Sequence, residues 1–537
     1  MNTHRFSRCV LFAFLILCLA AGLLPGASDT NPRLIVLLTV DQFRYDYLTR
    51  FLHLYTGGFR TLWDRGAVFT NAHLQHVPTA TAVGHATLLT GATPSFSGVV
   101  GNEWYDRETK RFIASIFDPS VKLLGAVKGS GASPARLVVS TVGDELKMSG
   151  KGPSKVIGIS LKDRGAILPA GRMADGAFWF DANSGNMISS TFYFADLPSW
   201  VKEFNGQRLV EKHLGAEWKS TGGKALRTLP AKAGPGYYDA FERSPYATDM
   251  LLAFAERAID VEKLGADPYT DILSVSLSST DLLGHTVGPD SEEIRELNLQ
   301  TDRSLGRFLQ SLEKRLGPGA VLYVFTADHG VAPLPETQAT RRMPGGRYTA
   351  SGLRKAVEAA LTERFGSGDW IEFASDGNFW LNRAAIRSRS LSQSAVEEVA
   401  AEVLQALPDV FRVYTGSRIR SGQLVIDEVG RRVAASYFPN RSADVITIMA
   451  PYWIFSSSGT SHGTPFSYDT HLPLIFMGPG IKPGLYDQKA SINDIAPTLA
   501  TLLAVETPSG SSGRVLTEML DQPRQPAPRR APGVVKK

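Results

Sequence analysis

Four apolar runs rich in β-branched residues break off at polar or charged residues: LIVLLTVDQ from Leu34, KVIGISLKDRG from Lys155, ILSVSLSSTDLLGH from Ile272 and AVLYVFTADHG from Ala320. Continuous rather than alternating hydrophobicity marks strands covered on both faces, as in a parallel sheet. Helix-period stretches lie between them, notably Tyr246 to Ala258 and Glu292 to Leu316, so the economical architecture is α/β with a mostly parallel sheet. Ligands of such sheets gather at the carboxyl ends of the strands. That is where this chain keeps Asp41, Lys162, Arg164, Asp281, His285, Asp328 and His329.

The 537 residues exceed what one hydrophobic core usually organises, which predicts a large body carrying insertions. A loop-rich, aromatic stretch at about 165–245, with Trp179, Phe180, Trp200 and Trp218, reads as an inserted cap-like subdomain. A second insertion is expected at about 335–441, with a helix near Ser392 to Leu407 and a strand near Val425. The core is then expected to resume with ADVITIMAPYWIF and to close through HLPLIFMGPG.

The ends of the chain read differently from its body. Arg5 and Arg8, the apolar run from Cys9 to Leu24 and the small residues up to Ala27 and Ser28 have the form of an export signal over 1–27, implying a periplasmic or secreted protein with no stable membrane insertion after cleavage. A retained anchor is the alternative reading, for which the run is slightly short. Both cysteines, Cys9 and Cys18, fall inside this segment, so the body at 28–522 carries neither thiol nor disulfide. The formal excess of 57 basic over 52 acidic residues also comes from the ends: without Arg5, Arg8 and the five basic residues of 523–537, 50 face 52. The Pro-rich tail is expected to be disordered, and nothing in it argues for nucleic-acid recognition.

The chemistry resides in a few polar residues, each ambiguous alone. Asp41 at a strand end suits a cation, but equally a turn or a cap. In HVPTATAVGHATLLTG, Thr81 precedes a small-residue helical stretch whose free amides suit a phosphate; Thr79, Thr87 and Thr90 compete for the role of reactive hydroxyl. A threonine becomes a useful nucleophile when a divalent metal lowers its pKa. Asp281 and His285 are four apart and share one face of a helical turn. Asp328 and His329, adjacent at a strand end, point in different directions and so suit two different ions. His462 lies in the flexible loop SSGTSHGTPF. Hydrogen-bonded His–Asp pairs explain these pairs as well as metal ligation does. His85 and His471 read as orienting residues rather than ligands. Oxygen and imidazole donors without thiolate suit zinc, and two ions about 4 Å apart suit an in-line phosphoryl displacement.

Taken in order, Asp41, ATAVGHATLLTG around Thr81, Asn102, STDLLGH, TADHG and SHGT resemble the alkaline phosphatase superfamily, specifically its type I phosphodiesterase and nucleotide pyrophosphatase branch, over about Leu34 to Leu503. Asn102 stands 21 residues beyond Thr81, the separation of nucleophile and phosphate-binding asparagine in that branch, which favours Thr81 over Thr79. SLKDRGAILPAG is similar to the phosphate-irrepressible bacterial alkaline phosphatases, in which the counterparts of Lys162 and Arg164 contact phosphoryl oxygens. The resemblance implies a three-layer alkaline-phosphatase-like core. It also implies two Zn2+ ions, one held by Asp281, His285 and His462, the other by Asp41, Asp328 and His329 with Thr81, and a phosphothreonine intermediate. Small phosphate monoesters are the implied substrates, because two cations and an amide match a group with two charged nonbridging oxygens.

Three other functions share part of this pattern. A phosphodiesterase or nucleotide pyrophosphatase would share the metals, but Lys162 and Arg164 speak for a monoester. A sulfatase needs Cys or Ser in a C/S-x-P-x-R setting, where this chain has Thr81 followed by Ala82. A non-catalytic phosphate- or metal-binding protein is disfavoured by the complete residue set.

Overall fold

Every residue of the strand Leu34–Val40 is buried, as its unbroken apolar run requires. It pairs in parallel with Asp271–Leu277 on one side and Val321–Thr326 on the other, and Asp271–Leu277 pairs in parallel with Val156–Ser160. The four apolar runs are thus four adjacent strands at the centre of the protein. The computed structural model describes residues 31–424 and 427–521; the N-terminal apolar segment, the basic tail and the expected strand at Val425 lie outside the described residues.

The full sheet has ten strands. Beyond Val156–Ser160 it continues with Gly176–Asp181, parallel, then Asn186–Ser190 and Leu123–Leu124, antiparallel. Beyond Val321–Thr326 it continues with Leu474–Met477 and Ala67–Phe69, both antiparallel, and Gly484–Tyr486. The run HLPLIFMGPG does close the core, but antiparallel to its neighbours. Helix Asp163–Ala170 packs on Val156–Ser160 and Gly176–Asp181, and helix Pro245–Glu262 packs on Asp271–Leu277. Among the described residues no helix is long and apolar enough to cross a membrane.

The stretch from 165 does not leave the core at once. It supplies most of one helix and two strands of the main sheet, and its aromatics pack inward: Phe178 meets Trp200 and Phe254 at ring distances of 5.3 and 5.5 Å. Phe180, Trp200 and Trp218 belong to the main core. Aromatic density here builds interior rather than a surface cap.

A separate unit follows the central strands. Ile371–Ser375, Asn378–Leu381, Val445–Met449 and Val410–Thr415 form a four-stranded antiparallel sheet in that order. Helices Ala350–Phe365 and Gln393–Gln405 share a hydrophobic cluster with it that is distinct from the main core. The run ADVITIM therefore does not resume the core: Val445–Met449 completes this small sheet. An apolar run announces burial, not which of two sheets buries it.

The register of the central strands positions the polar residues. Val40 lies opposite Leu277, Thr39 opposite Thr326, and Ser276 opposite Ser160. Asp41, Asp281, Asp328 and Lys162 thus leave the same edge of the sheet within a few residues of each strand end.

Candidate active site

Asp41 is fully buried and its N–H still donates to Leu277 O at 3.0 Å, one residue past the strand. The chain then turns sharply at Gln42, whose φ is +65°. The turn makes Gln42 a brace. Its backbone N–H donates to Asp328 Oδ1 at 3.1 Å and its Nε2 donates to Asp281 Oδ1 at 2.7 Å. Helix Ser279–Val287 can come this close because a Cβ at Gly284 would stand 2.1 Å from Gln42 Oε1.

The helix spacing brings His285 Nε2 to 3.2 Å from Asp281 Oδ1. His462 Nε2 approaches the same oxygen at 3.8 Å, and its ring stacks on His329 at 3.6 Å. His329 Nε2 lies 3.5 Å from both Asp41 Oδ1 and Asp328 Oδ2. The three Nδ1 atoms point outward: that of His285 to Thr460 O at 2.9 Å, of His329 to Gly330 O at 2.9 Å, and of His462 to Thr79 O at 2.6 Å. A carbonyl partner requires Nδ1 to carry the proton, so each Nε2 offers a lone pair to the centre. This is how metal-binding imidazoles are oriented. Burial pushes the His329 pKa down to about 4, and burial with the neighbouring His329 and His285 holds His462 well below its ordinary value. Both rings are neutral, as ligation requires.

Thr81 opens helix Thr81–Thr90 and its Oγ1 lies 3.3 Å from His329 Nε2. The competing hydroxyls are committed to structure. Thr87 and Thr90 donate back to Val83 O and Ala86 O. Thr79 Oγ1 accepts from Gly463 N at 2.9 Å and fixes the loop of His462 together with Asp469. Gly84 lets the helix touch the neighbouring strand end, since a Cβ there would meet Asp328 O at 2.4 Å. Asn102 Oδ1 accepts the Ala82 N–H at 2.8 Å, which leaves its Nδ2 hydrogens for another partner. His85, anticipated as an orienting residue, is buried with Nε2 2.8 Å from Ser276 Oγ and Nδ1 2.9 Å from Thr81 O and 3.1 Å from Asp328 Oδ2. His471 stacks on Tyr45 and His73 with Nε2 2.9 Å from Thr70 O, away from the site.

Lys162 and Arg164 take different partners. Lys162 Nζ lies 2.6 Å from Asp41 Oδ2 and 2.5 Å from Asp281 Oδ2. Among the described residues, Arg164, at the start of helix Asp163–Ala170, has only Asp163 as a salt-bridge partner, at 3.6 Å, and its buried Nε has no hydrogen-bond partner. Electrostatically the site wants cations. Burial alone would raise Asp281, yet Lys162 and His285 hold it well below the ordinary carboxylate value. Burial, with Asp281 and Asp328 beside it, pushes Asp41 up to about 6.

These residues fit two divalent ions. Ligand atoms of Asp281, His329 and His462, and again of Asp41, Asp328 and His329, lie within 4.8 Å of one another. Asp41 Oδ1 is buried without a hydrogen-bond partner among the described residues, a costly arrangement that a bound cation relieves. Lys162 Nζ shows that the two sets converge on a cation. His285 adjoins the first set through Asp281, while the stacking of His329 on His462 brings His329 within reach of both.

Sequence reasoning missed the braces. Gln42 and Asp469 act through partners more than 200 and 350 residues away in the first case and in the Thr79 contact respectively. A polar residue next to a strand-end Asp was the one signal that pointed to Gln42.

A mostly parallel sheet with this residue set at its carboxyl edge is the design of one family of phosphoester-processing proteins. Residues 35–471 match the family model of type I phosphodiesterases/nucleotide pyrophosphatases, and the chain belongs to that family. Among its relatives is alkaline phosphatase PafA of Elizabethkingia meningoseptica, 35% identical over 528 residues that span 92% of this chain and 96% of the relative. Alkaline phosphatase PhoV of Synechococcus elongatus is 35% identical over 524 residues, 91% of this chain and 93% of the relative. The crystal structure of wild-type PafA matches with a TM-score of 0.85 at 34% identity, covering 91% of this chain and 99% of that one.

Proposed function

We propose that the protein is an exported alkaline phosphatase that hydrolyses phosphate monoesters through a phosphothreonine at Thr81. The observation that carries this reading is the position of the Thr81 hydroxyl. It alone among the threonines of its helix faces the inward-pointing imidazoles and carboxylates, with the Asn102 amide held beside it. Asp281, His285 and His462 would hold one zinc ion and Asp41, Asp328 and His329, with Thr81, a second. Such ions supply Lewis acidity, lowering the pKa of the Thr81 hydroxyl and neutralising charge on the leaving oxygen.

The chain's own residues do the rest. Thr81 Oγ1 gives up its proton to solvent and forms a bond to phosphorus as the ester P–O bond breaks, and the departing alkoxide takes one proton back from solvent to leave as the alcohol. Asn102 donates its amide hydrogens to a nonbridging oxygen. Lys162 and Arg164 supply positive charge for the dianionic phosphoryl group of a monoester, which a diester lacks. Water then attacks the phosphothreonine, releasing inorganic phosphate and restoring the Thr81 hydroxyl. The basic and apolar N-terminal segment supports export to the periplasm or the exterior.

Turnover of an aryl phosphate compared with its bis-aryl diester tests the assignment. The proposal requires a higher kcat/KM for the monoester; preference for the diester would make the protein a phosphodiesterase with the same metal site.

A further inference from the structure

A cavity of about 450 Å³ opens beside the site, within the roughly 300–1,000 Å³ of small-molecule pockets. Its inner wall includes Asn102, His285 and His462, and its outer wall is the small sheet. The two-residue hairpin turn between Ser375 and Asn378 forms part of that wall. Asp376 and Gly377 have φ of +47° and +77°, the conformation that Asp-Gly turns favour. Gly377 keeps the turn against Phe455, since a Cβ would stand 3.0 Å from that ring.

The lining is acidic and aromatic. Asp376 accepts a side-chain hydrogen bond only from Ser375 Oγ, at 3.3 Å, and neither Asp376 nor Glu103 forms a salt bridge among the described residues. The one lining guanidinium, Arg441, is tied to the carbonyls of Gly98 and Arg136. Phe455, Trp453 and Phe112 contribute ring surface.

We propose that this cavity receives the leaving group of the substrate and that it selects alcohols bearing a positive charge, a protonated or quaternary amine. The inference rests on the phosphatase reading: Asn102, held beside Thr81, lines this cavity with His285 and His462, so a group leaving phosphorus departs into it. Two exposed carboxylates without a salt-bridge partner among the described residues attract a cation, and aromatic faces stabilise one without demanding a hydrogen bond.

The zinc-loaded enzyme is tested on choline phosphate and its neutral carbon isostere, 3,3-dimethylbutyl phosphate. The proposal expects a kcat/KM ratio on the order of ten in favour of the cation, shrinking as salt is added. In Asp376→Asn, and separately in Phe455→Leu, the ratio falls toward one. A wild-type ratio near one, or a ratio unmoved in both variants, overturns it. A chain that hydrolyses neither ester nor an aryl phosphate instead removes the phosphatase reading. Protection of the wild type, but not of Asp376→Asn, by free choline in competition with an aryl phosphate supports the site independently of ester turnover.

Discussion

The ammonium of Lys162 lies 2.6 Å from Asp41 Oδ2, and the same nitrogen lies 2.5 Å from Asp281 Oδ2. Burial works against its charge, but Asp281 and Asp41 hold its pKa above the ordinary lysine value. The cation proposed to select a monoester is therefore wired to both carboxylate sets. Replacing Lys162 and Arg164 together with Ala is expected to lower monoester kcat/KM by about 10²–10³-fold and residual diester turnover far less. Parallel assays of the two esters check this; equal losses would assign the pair to holding the carboxylates.

Three imidazoles turn Nδ1 to backbone carbonyls and Nε2 to the centre. Dialysis against a chelator is expected to abolish activity and to lower Tm, and Zn2+ to restore both, with elemental analysis giving two ions per chain. Full activity in chelated protein of confirmed low metal content would contradict the metal assignment.

Gln42 links the carboxylates of Asp281 and Asp328 from a left-handed backbone position. Gln42→Leu removes the side-chain donor and leaves Asp281 less well oriented. Zinc affinity is expected to fall about 10–100-fold, the usual cost of losing an outer partner of a ligand. Competition with a fluorescent chelator measures it; unaltered affinity would reduce Gln42 to a packing residue.

Asp469 is buried and burial pushes its pKa up to about 7, against hydrogen bonds from Thr464 and Thr79 that favour the carboxylate. Its folded-state pKa is raised above the unfolded value of about 4. The folded protein therefore holds the proton over this window, and stability declines as pH rises from about 4 to about 7. Asp469→Asn is expected to flatten that part of the Tm profile. A wild-type slope preserved in the variant would place the titration elsewhere.

The central sheet and the polar residues that meet at its edge were legible because they are written locally. Leu34–Val40 and its neighbours are unbroken apolar runs, and Asp41, Lys162 and Asp328 stand one or two residues past strand ends. Asn102 and Thr81 were legible only through their order and spacing, since nothing local marks an amide that meets Ala82 N across 20 residues. The subdomain limits were not legible. Val445–Met449 is as apolar as a core strand, and Trp200 or Trp218 looks alike in a cap or an interior. Such residues say that they are buried, and only tertiary packing says where. The wiring of Lys162 to Asp41 and Asp281 spans about 120 residues in each direction and has no local signature.

In the proposed reaction Thr81 carries the phosphoryl group. Rapid acid quench of the zinc-loaded enzyme during turnover of an aryl phosphate, followed by peptide mapping by mass spectrometry, reads this directly. The account predicts a phosphoryl increment on the peptide containing Thr81, mapped to that residue and absent from Thr81→Ala, which loses turnover. Sustained turnover by Thr81→Ala, or a phosphoryl group mapped to Thr79 instead, would contradict it.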